Sequence, residues 1–192
     1  MARAMLRAVV VLAAMGVLAG CSGAVPGYAP GVQPLAKVEG WRVEPFHPDV
    51  PFGLVEVVYD RDTAEQAWRE NVPEDLGEGD SAEGEPGRYG SLDDVDFSAQ
   101  VLVVWHSGQS SSCPSWLAGI ESDGAAVAIE RGEYVPQDAC TDDYNPYRMV
   151  LAVAADRLPE PGLLPTQDVV IDTISDGRVS AYPDERVTNQ SG

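Results

Sequence analysis

After residue 20, the apolar residues of this chain occur in short runs separated by turn residues. The run from Val101 to Trp105 has the length of a β-strand, far below the roughly 20 apolar residues of a membrane-spanning helix. Met149 to Ala154 is a similar run. Because a continuous apolar run of this length indicates a strand buried on both faces, both segments are predicted to be central strands.

Two hairpins and several further strands are predicted from alternation and turn residues. Glycine supplies the positive φ that tight hairpin turns require. The predicted segments are Trp41 to Phe46, Leu54 to Tyr59, Trp116 to Glu121 with Ala125 to Glu130 around Asp123 and Gly124, and Val169 to Ile174 with Arg178 to Tyr182 around Asp176 and Gly177.

One short helix is predicted after the strand that ends at Tyr59. Asp62 or Thr63 would cap its first turn, Trp68 would face the sheet, and Pro73 would end it. The predicted fold class is α+β, a single domain with a mainly antiparallel β-sheet and one short helix. A small β-sandwich or barrel is the alternative.

Composition divides the chain into segments. Residues 21–36 are uncharged and rich in Gly, Pro and Ala, which predicts a flexible tether. The β-rich domain is expected at 37–183, followed by a C-terminal tail at 184–192. Within it, residues 73–96 carry nine acidic side chains opposed only by Arg88. We name this segment the acidic block and expect a mobile loop, because it has little apolar surface to bury.

The net charge narrows the classes of partner. The 192 residues include 31 acidic and 12 basic side chains, a formal charge of −19. The acidic excess argues strongly against nucleic-acid binding, since that requires clustered Lys and Arg on phosphate. Binding to anionic lipid through a cluster of Lys and Arg is excluded for the same reason. Hydrophobic residues make up 44% of the chain, which is typical of a folded protein.

The first 20 residues have the pattern of an export signal. Arg3 and Arg7 precede an uncharged run from Ala8 to Leu18, which is too short to span about 30 Å of hydrocarbon. An uncleaved membrane anchor is the alternative. Removal of residues 1–20 would take the charge to −21, because it removes two arginines.

Leu18, Ala19, Gly20 and Cys21 close this run and resemble the lipobox of bacterial lipoproteins. The resemblance implies cleavage before Cys21, with a diacylglyceryl group on its sulfur and an acyl chain such as palmitate on its amine. It also implies a lipid-anchored protein on the extracytoplasmic face of the cell membrane. No other cofactor is expected. Several acyl chains anchor a protein stably, whereas one does so only marginally.

Cys113 and Cys140 remain once Cys21 is assigned to the lipid. An exported chain with two further cysteines is expected to form a disulfide. A reactive cysteine is the alternative, but the chain has no C-x-x-C pair. Cys113 with Pro114 and Cys140 with Thr141 also resemble a pattern of small secreted lipoproteins of unassigned role, a resemblance that implies no activity.

A candidate binding surface follows Cys140. Tyrosines bring apolar area with a hydroxyl, and an arginine can grip a carboxylate bidentately. The alternative is that these residues cap the sheet edge and pair with one another. The surface comprises Asp142, Asp143, Tyr144, Tyr147 and Arg148.

No catalytic or metal-binding set is assigned. His106 with Ser110 or Ser112 and a nearby Asp suggests a hydrolase as the alternative function, but the chain lacks a G-x-S-x-G elbow. With only two histidines, zinc binding is not predicted. Carboxylates such as Asp60 and Asp62 leave a cation-responsive module as a third hypothesis.

We therefore expect an envelope lipoprotein with a binding or accessory role and no evident catalysis. Its expected partners are the membrane, through the lipid, and an unknown envelope protein or small ligand. Whether it is an enzyme stays open, with the hydrolase as the alternative.

Overall fold

The computed structural model describes residues 27–40, 53–124, 126–134, 139–166, 168–171 and 174–183. Several predictions lie outside these ranges and stay predictions. They concern the signal at 1–20, lipidation of Cys21, the strand from Trp41 to Phe46 and the tail at 184–192.

Strands dominate the described residues, and one α-helix, α1 (Arg61–Asn71), accompanies them. Four short 3-10 turns lie at Ser81–Glu83, Leu92–Asp94, Ala155–Arg157 and Pro161–Thr166. The strands are β1 (Val32–Glu39), β2 (Gly53–Val58), β3 (Gly87–Arg88), β4 (Gln100–Gln109), β5 (Ser115–Ser122), β6 (Ala126–Glu133), β7 (Asn145–Ala154), β8 (Asp168–Ile171) and β9 (Ile174–Ala181).

One hydrogen-bonded order, β3-β1-β7-β4-β2-β9-β8-β6-β5, contains all nine strands. Six of the eight neighbouring pairs are antiparallel, and β2–β9 and β6–β8 are parallel. The predicted mainly antiparallel sheet is therefore confirmed. Because the order has two ends, β3 and β5, the barrel alternative is wrong.

Successive side chains of β4 enter two different cores, as the pleat of a strand requires. Val103 and Trp105 face an inner core, while Leu102 and Val104 face a second core beneath α1. The predicted central strand, buried on both faces, is confirmed. The inner core includes residues of β5 and β6 because the sheet curls, so that β5 lies against β1, β4 and β7.

Trp116 fills the seam between β5 and the chain segment that precedes β1. Its indole Nε1 donates to the carbonyl of Gly27 at 3.0 Å, and the N–H of Ala29 donates to the carbonyl of Ala118 at 2.7 Å. The indole also lies over Gly132, the cross-strand neighbour of Trp116. These contacts cover the edge of β5 that has no strand partner.

The predicted start of the domain at residue 37 is wrong. Five residues of the predicted tether belong to β1, and Leu35 and Ala36 are fully buried. Proline is rare inside a sheet, so Pro34 argues against a strand in the sequence, yet it lies inside β1. It lies at an irregularity in the pairing of β1 with β7, where the register shifts.

The expectation of a mobile acidic block is contradicted by the regular elements within it. Two 3-10 turns and the short strand β3 lie there, and Leu92 and Val95 are buried in the core beneath α1. Two carboxylates cap these turns. Asp80 accepts from the N–H of Ala82 at 2.8 Å, and Asp94 completes a capping box with Ser91.

Two local predictions shift by a few residues. Helix α1 is capped by Asp60, not by Asp62 or Thr63, because the Asp60 carboxylate accepts from the N–H of Thr63 at 2.9 Å. β8 and β9 are antiparallel, as predicted, but Asp176 and Gly177 lie inside β9 and do not form the turn. The hairpin of β5 and β6 turns at Asp123 and Gly124, as predicted.

We predict that Gly132→Ala destabilises the protein. A Cβ atom there would lie 2.3 Å from the indole Cε2 of Trp116, and overpacking of this kind costs about 1 to 3 kcal/mol. Gly77→Ala is the control, because a Cβ atom at Gly77 meets nothing within 4 Å. Urea unfolding of both variants measures the effect. Equal unfolding midpoints would show that the seam tolerates the added methyl.

Candidate functional site

The disulfide joins two surface loops at one end of the sheet. Cys113 lies in the turn between β4 and β5, and Cys140 precedes β7. Their sulfurs are bonded, with the two Cα atoms 5.6 Å apart, so the predicted disulfide is confirmed. We refer to residues 110–113 and 140–145 together as the clamped loops.

Asp143 connects the clamped loops by hydrogen bonds. Its carboxylate accepts from the backbone N–H of Ser111 at 3.1 Å, from the Thr141 hydroxyl at 2.6 Å and from the Ser111 hydroxyl. These donors, with the Ser111 hydroxyl first, lower the pKa of Asp143 to about 2. Asn145 donates to the Ser111 hydroxyl oxygen at 2.6 Å, which extends the network along the surface.

Tyr144 lies beside this network with its ring against β4. A Cβ atom at Gly108 would approach the Tyr144 ring to 1.9 Å, so only glycine leaves room for the ring there. Tyr144 is half-buried, while Asp142 and Asp143 are exposed. Three of the five residues predicted for the binding surface are thus brought together at the clamped loops.

Tyr147 and Arg148 do not belong to this surface, and their prediction as surface residues is wrong. Tyr147 is 0% exposed, and its hydroxyl lies 3.3 Å from both Trp105 Nε1 and Ser115 Oγ. Arg148 is buried on the opposite face. Both residues belong to β7, in which neighbouring side chains point to opposite sides of the sheet.

Arg148 joins the end of α1 to the end of β1. Its Nε donates to the carbonyl of Asn71, at the end of α1, at 3.0 Å, and its Nη1 donates to the carbonyl of Gly40 at 2.8 Å. The Asn71 carbonyl lies in the last turn of α1, where the helix itself supplies no donor. The guanidinium is therefore a structural group.

The most unusual buried group is Lys37, the only lysine of the sequence. It is 0% exposed. Its ammonium donates to the carbonyl of Gly84 at 2.6 Å, to Gln109 Oε1 at 2.7 Å and to the carbonyl of Ser115 at 2.8 Å. It also lies 4.5 Å from the centre of the Tyr147 ring, within range of a cation–π interaction. Burial lowers the pKa of Lys37 to about 7.

His106 is also buried, and its side chain pairs with that of Glu56. Its Nε2 lies 2.9 Å from Glu56 Oε2, and the two side chains are 2% and 0% exposed. Ser110 and Ser112 lie instead near Thr141, with hydroxyl separations of 2.8 and 3.2 Å. Because a buried imidazole has no access to substrate, this geometry does not favour the hydrolase alternative.

In the ranges that the structure describes, no group of three or more His, Cys, Asp or Glu side chains is arranged to hold a metal ion. The same part of the chain contains no helix that is long and apolar enough to cross a membrane.

Comparison with known proteins gives no match: no family model, curated protein or solved structure is significantly similar to this chain.

Lys37 and Glu56 are the buried charges that sequence reasoning missed. The expected domain at 37–183 begins at Lys37 and gives no role to this residue, although it is the one lysine of the sequence. The alternation of Val55 and Val57 with Glu56 predicts a polar face for Glu56, whereas all six residues of β2 are buried. Alternation alone does not separate a solvated face from a covered one.

We predict that Asp143→Asn flattens the acid side of the stability curve. The pKa of Asp143 is lowered to about 2 in the folded protein, below about 3.9 for an unfolded aspartate. Its stabilising contribution is thus complete above about pH 4 and is lost as the pH falls towards 2. Urea unfolding at several pH values should show a smaller loss for the variant than for the wild type.

Asp142→Asn is the matched control, because it removes a neighbouring exposed carboxylate. In the described parts of the two loops, this carboxylate takes no part in the hydrogen bonds that join them. Parallel curves for the wild type and Asp143→Asn between pH 4 and 2 would contradict the assignment.

Proposed function

We propose that the protein is a lipid-anchored extracytoplasmic lipoprotein whose β-rich domain has a binding or accessory role in the cell envelope. The observation that carries the proposal is the disulfide between Cys113 and Cys140. Disulfides persist in oxidising compartments outside the cytoplasm and are rare inside it. The lipobox-like residues that end in Cys21 supply the anchor.

The domain is proposed to act as a single α+β unit. The curled sheet, α1 and the acidic block share two cores that lie on the two faces of the same strands. A rigid domain of this kind suits a protein that presents a surface to a partner, because less freedom is lost on binding.

The clamped loops are the proposed binding surface. The disulfide and the Asp143 network hold hydroxyl and carboxylate groups in fixed positions, beside the half-buried ring of Tyr144. An envelope protein or a small polar ligand that donates hydrogen bonds would suit this surface. No metal or organic cofactor is part of the proposal, apart from the lipid on Cys21.

We predict that Cys21→Ala prevents anchoring. Without the thiol there is no acceptor for the diacylglyceryl group, so the protein should leave the membrane fraction or accumulate as a precursor that retains residues 1–20. Ser22→Ala, one residue away, is the matched control and should be processed and lipidated like the wild type. Fractionation, intact mass and labelling with radioactive palmitate in a lipoprotein-processing bacterium provide the readouts.

A Cys21→Ala protein that is still processed and still bound to the membrane would refute the anchor.

The binding role is tested in the same cells with a photo-crosslinking aromatic residue in place of Tyr144. A defined crosslinked product should form at that position and not at exposed Asp156. Equal products at both positions would indicate nonspecific contact and would count against the clamped loops as the binding surface.

A further inference from the structure

A cleft opens on the outer face of the hairpin formed by β5 and β6. Its volume is about 420 Å³, within the range of roughly 300 to 1,000 Å³ that small-molecule sites occupy. It lies towards the last residues of β5, whereas the clamped loops precede the first residue of that strand. The residues of its lining that matter here are Ala29, Gly119, Glu121, Ala128, Glu130 and Arg157.

Two carboxylates of the cleft share one face of the hairpin. In the pairing of β5 with β6, Glu121 is opposite Ala128, and Glu130 is opposite Gly119. Since residues two positions apart on a strand point to the same side, Glu121 and Glu130 are diagonal neighbours, about 7 to 8 Å apart. Both residues are exposed. Two like charges at this spacing repel each other and attract a cation placed between them.

Gly119 keeps the floor of the cleft open. A Cβ atom at this position would lie 3.0 Å from Glu130 Oε2 and 3.3 Å from the Cβ atom of Ala29. The register of β5 with β6 shifts between Leu117 and Gly119, an irregularity of the kind that is common next to active sites. The Glu130 carboxylate therefore lies directly beside a stretch of floor that carries no side chain.

Arg157 brings the opposite charge to the cleft. It ends the 3-10 turn Ala155–Arg157 that follows β7, beside the point where the N–H of Ala154 donates to the carbonyl of Gly31 at 2.8 Å. A Cβ atom at Gly31 would lie 3.3 Å from Arg157 Nε. The arginine side chain thus passes close over this glycine and lines the cleft with its guanidinium group half-buried.

The three charged side chains of the cleft do not satisfy one another. Within the described ranges of the chain, the side chains of Glu121, Glu130 and Arg157 take part in no hydrogen bond or ion pair. The neighbouring Arg131, by contrast, pairs with Glu133 at 3.4 Å. A guanidinium carries five N–H donors, and ionised carboxylates only accept. Both kinds of group therefore remain available to a ligand.

We propose that this cleft binds a small zwitterion of the amino-acid or short-peptide class. The ammonium of the ligand lies between Glu121 and Glu130, and its carboxylate accepts two hydrogen bonds from Arg157, the geometry in which arginine holds carboxylates. The site depends neither on the lipid anchor nor on the clamped loops. Because separate groups hold the two charges, a molecule that carries only one of them binds more weakly.

The test titrates the full chain, labelled with nitrogen-15 and kept in detergent micelles, with alanyl-alanine and two capped forms of it. The N-acetyl form lacks the ammonium, and the C-terminal amide lacks the carboxylate. We expect alanyl-alanine to shift the backbone N–H signals of Gly119 and Ala128. Each capped form should bind about tenfold more weakly, because it loses a charged hydrogen-bonding group. Free alanine, titrated in parallel, shows whether an amino acid or a peptide is preferred.

Two variants assign the charges to their partners. Arg157→Gln should remove the preference for alanyl-alanine over its amide, and Glu130→Gln should reduce the preference over the N-acetyl form. Asp156→Asn is the matched control, because it changes an exposed neighbour of Arg157 that does not line the cleft. It should bind like the wild type.

The ligand-free spectra show whether each variant is folded, through unchanged signals of Gly108 and Gly132. The absence of any shift at Gly119 and Ala128 with millimolar alanyl-alanine and alanine would overturn the site. Equal binding of alanyl-alanine and its capped forms would also overturn it, as would a folded Arg157→Gln variant that keeps the full preference for a free carboxylate.

Discussion

The ammonium of Lys37 joins three parts of the domain that are not neighbours in the strand order. Its three acceptors belong to the acidic block, to β4 and to β5, which meet where the curled sheet does not close. A buried charge is costly unless its hydrogen-bonding capacity is filled, and here all three N–H groups have acceptors. The indole of Trp116 lies against Gly84, whose carbonyl Lys37 binds. Together these contacts let an open sheet enclose a core.

The parts of the fold that were predicted correctly have strong local signals. β4 and β7 follow from apolar runs, and the hairpin of β5 and β6 follows from Asp123 and Gly124. The parallel pairing of β2 with β9 has no such signal, because it joins residues more than 100 positions apart. The acidic block shows the same limit, since its order depends on Leu92 and Val95 reaching a distant core.

The candidate site, too, could be predicted only in part from the sequence. The disulfide could be predicted, because two further cysteines in a chain that is predicted to be exported leave few alternatives. The predicted binding surface extends two residues too far, since β7 begins at Asn145 and its residues Tyr147 and Arg148 are buried. The hydroxyls of Ser110, Ser111 and Thr141 belong to the surface instead, and their role depends on the meeting of two loops about 30 residues apart.

Acylation of amines in the folded protein tests the role of Lys37 most directly, because the chain has no other lysine. Burial lowers the pKa of Lys37 to about 7, so at pH 8 much of the buried amine is neutral, and its protection from acylation would come from burial and not from its charge. We predict that an N-hydroxysuccinimide ester leaves Lys37 unmodified in the native protein and acylates it in denaturant, as read by peptide mass spectrometry. Acylation of Lys37 at the same rate in both states would contradict the buried clamp.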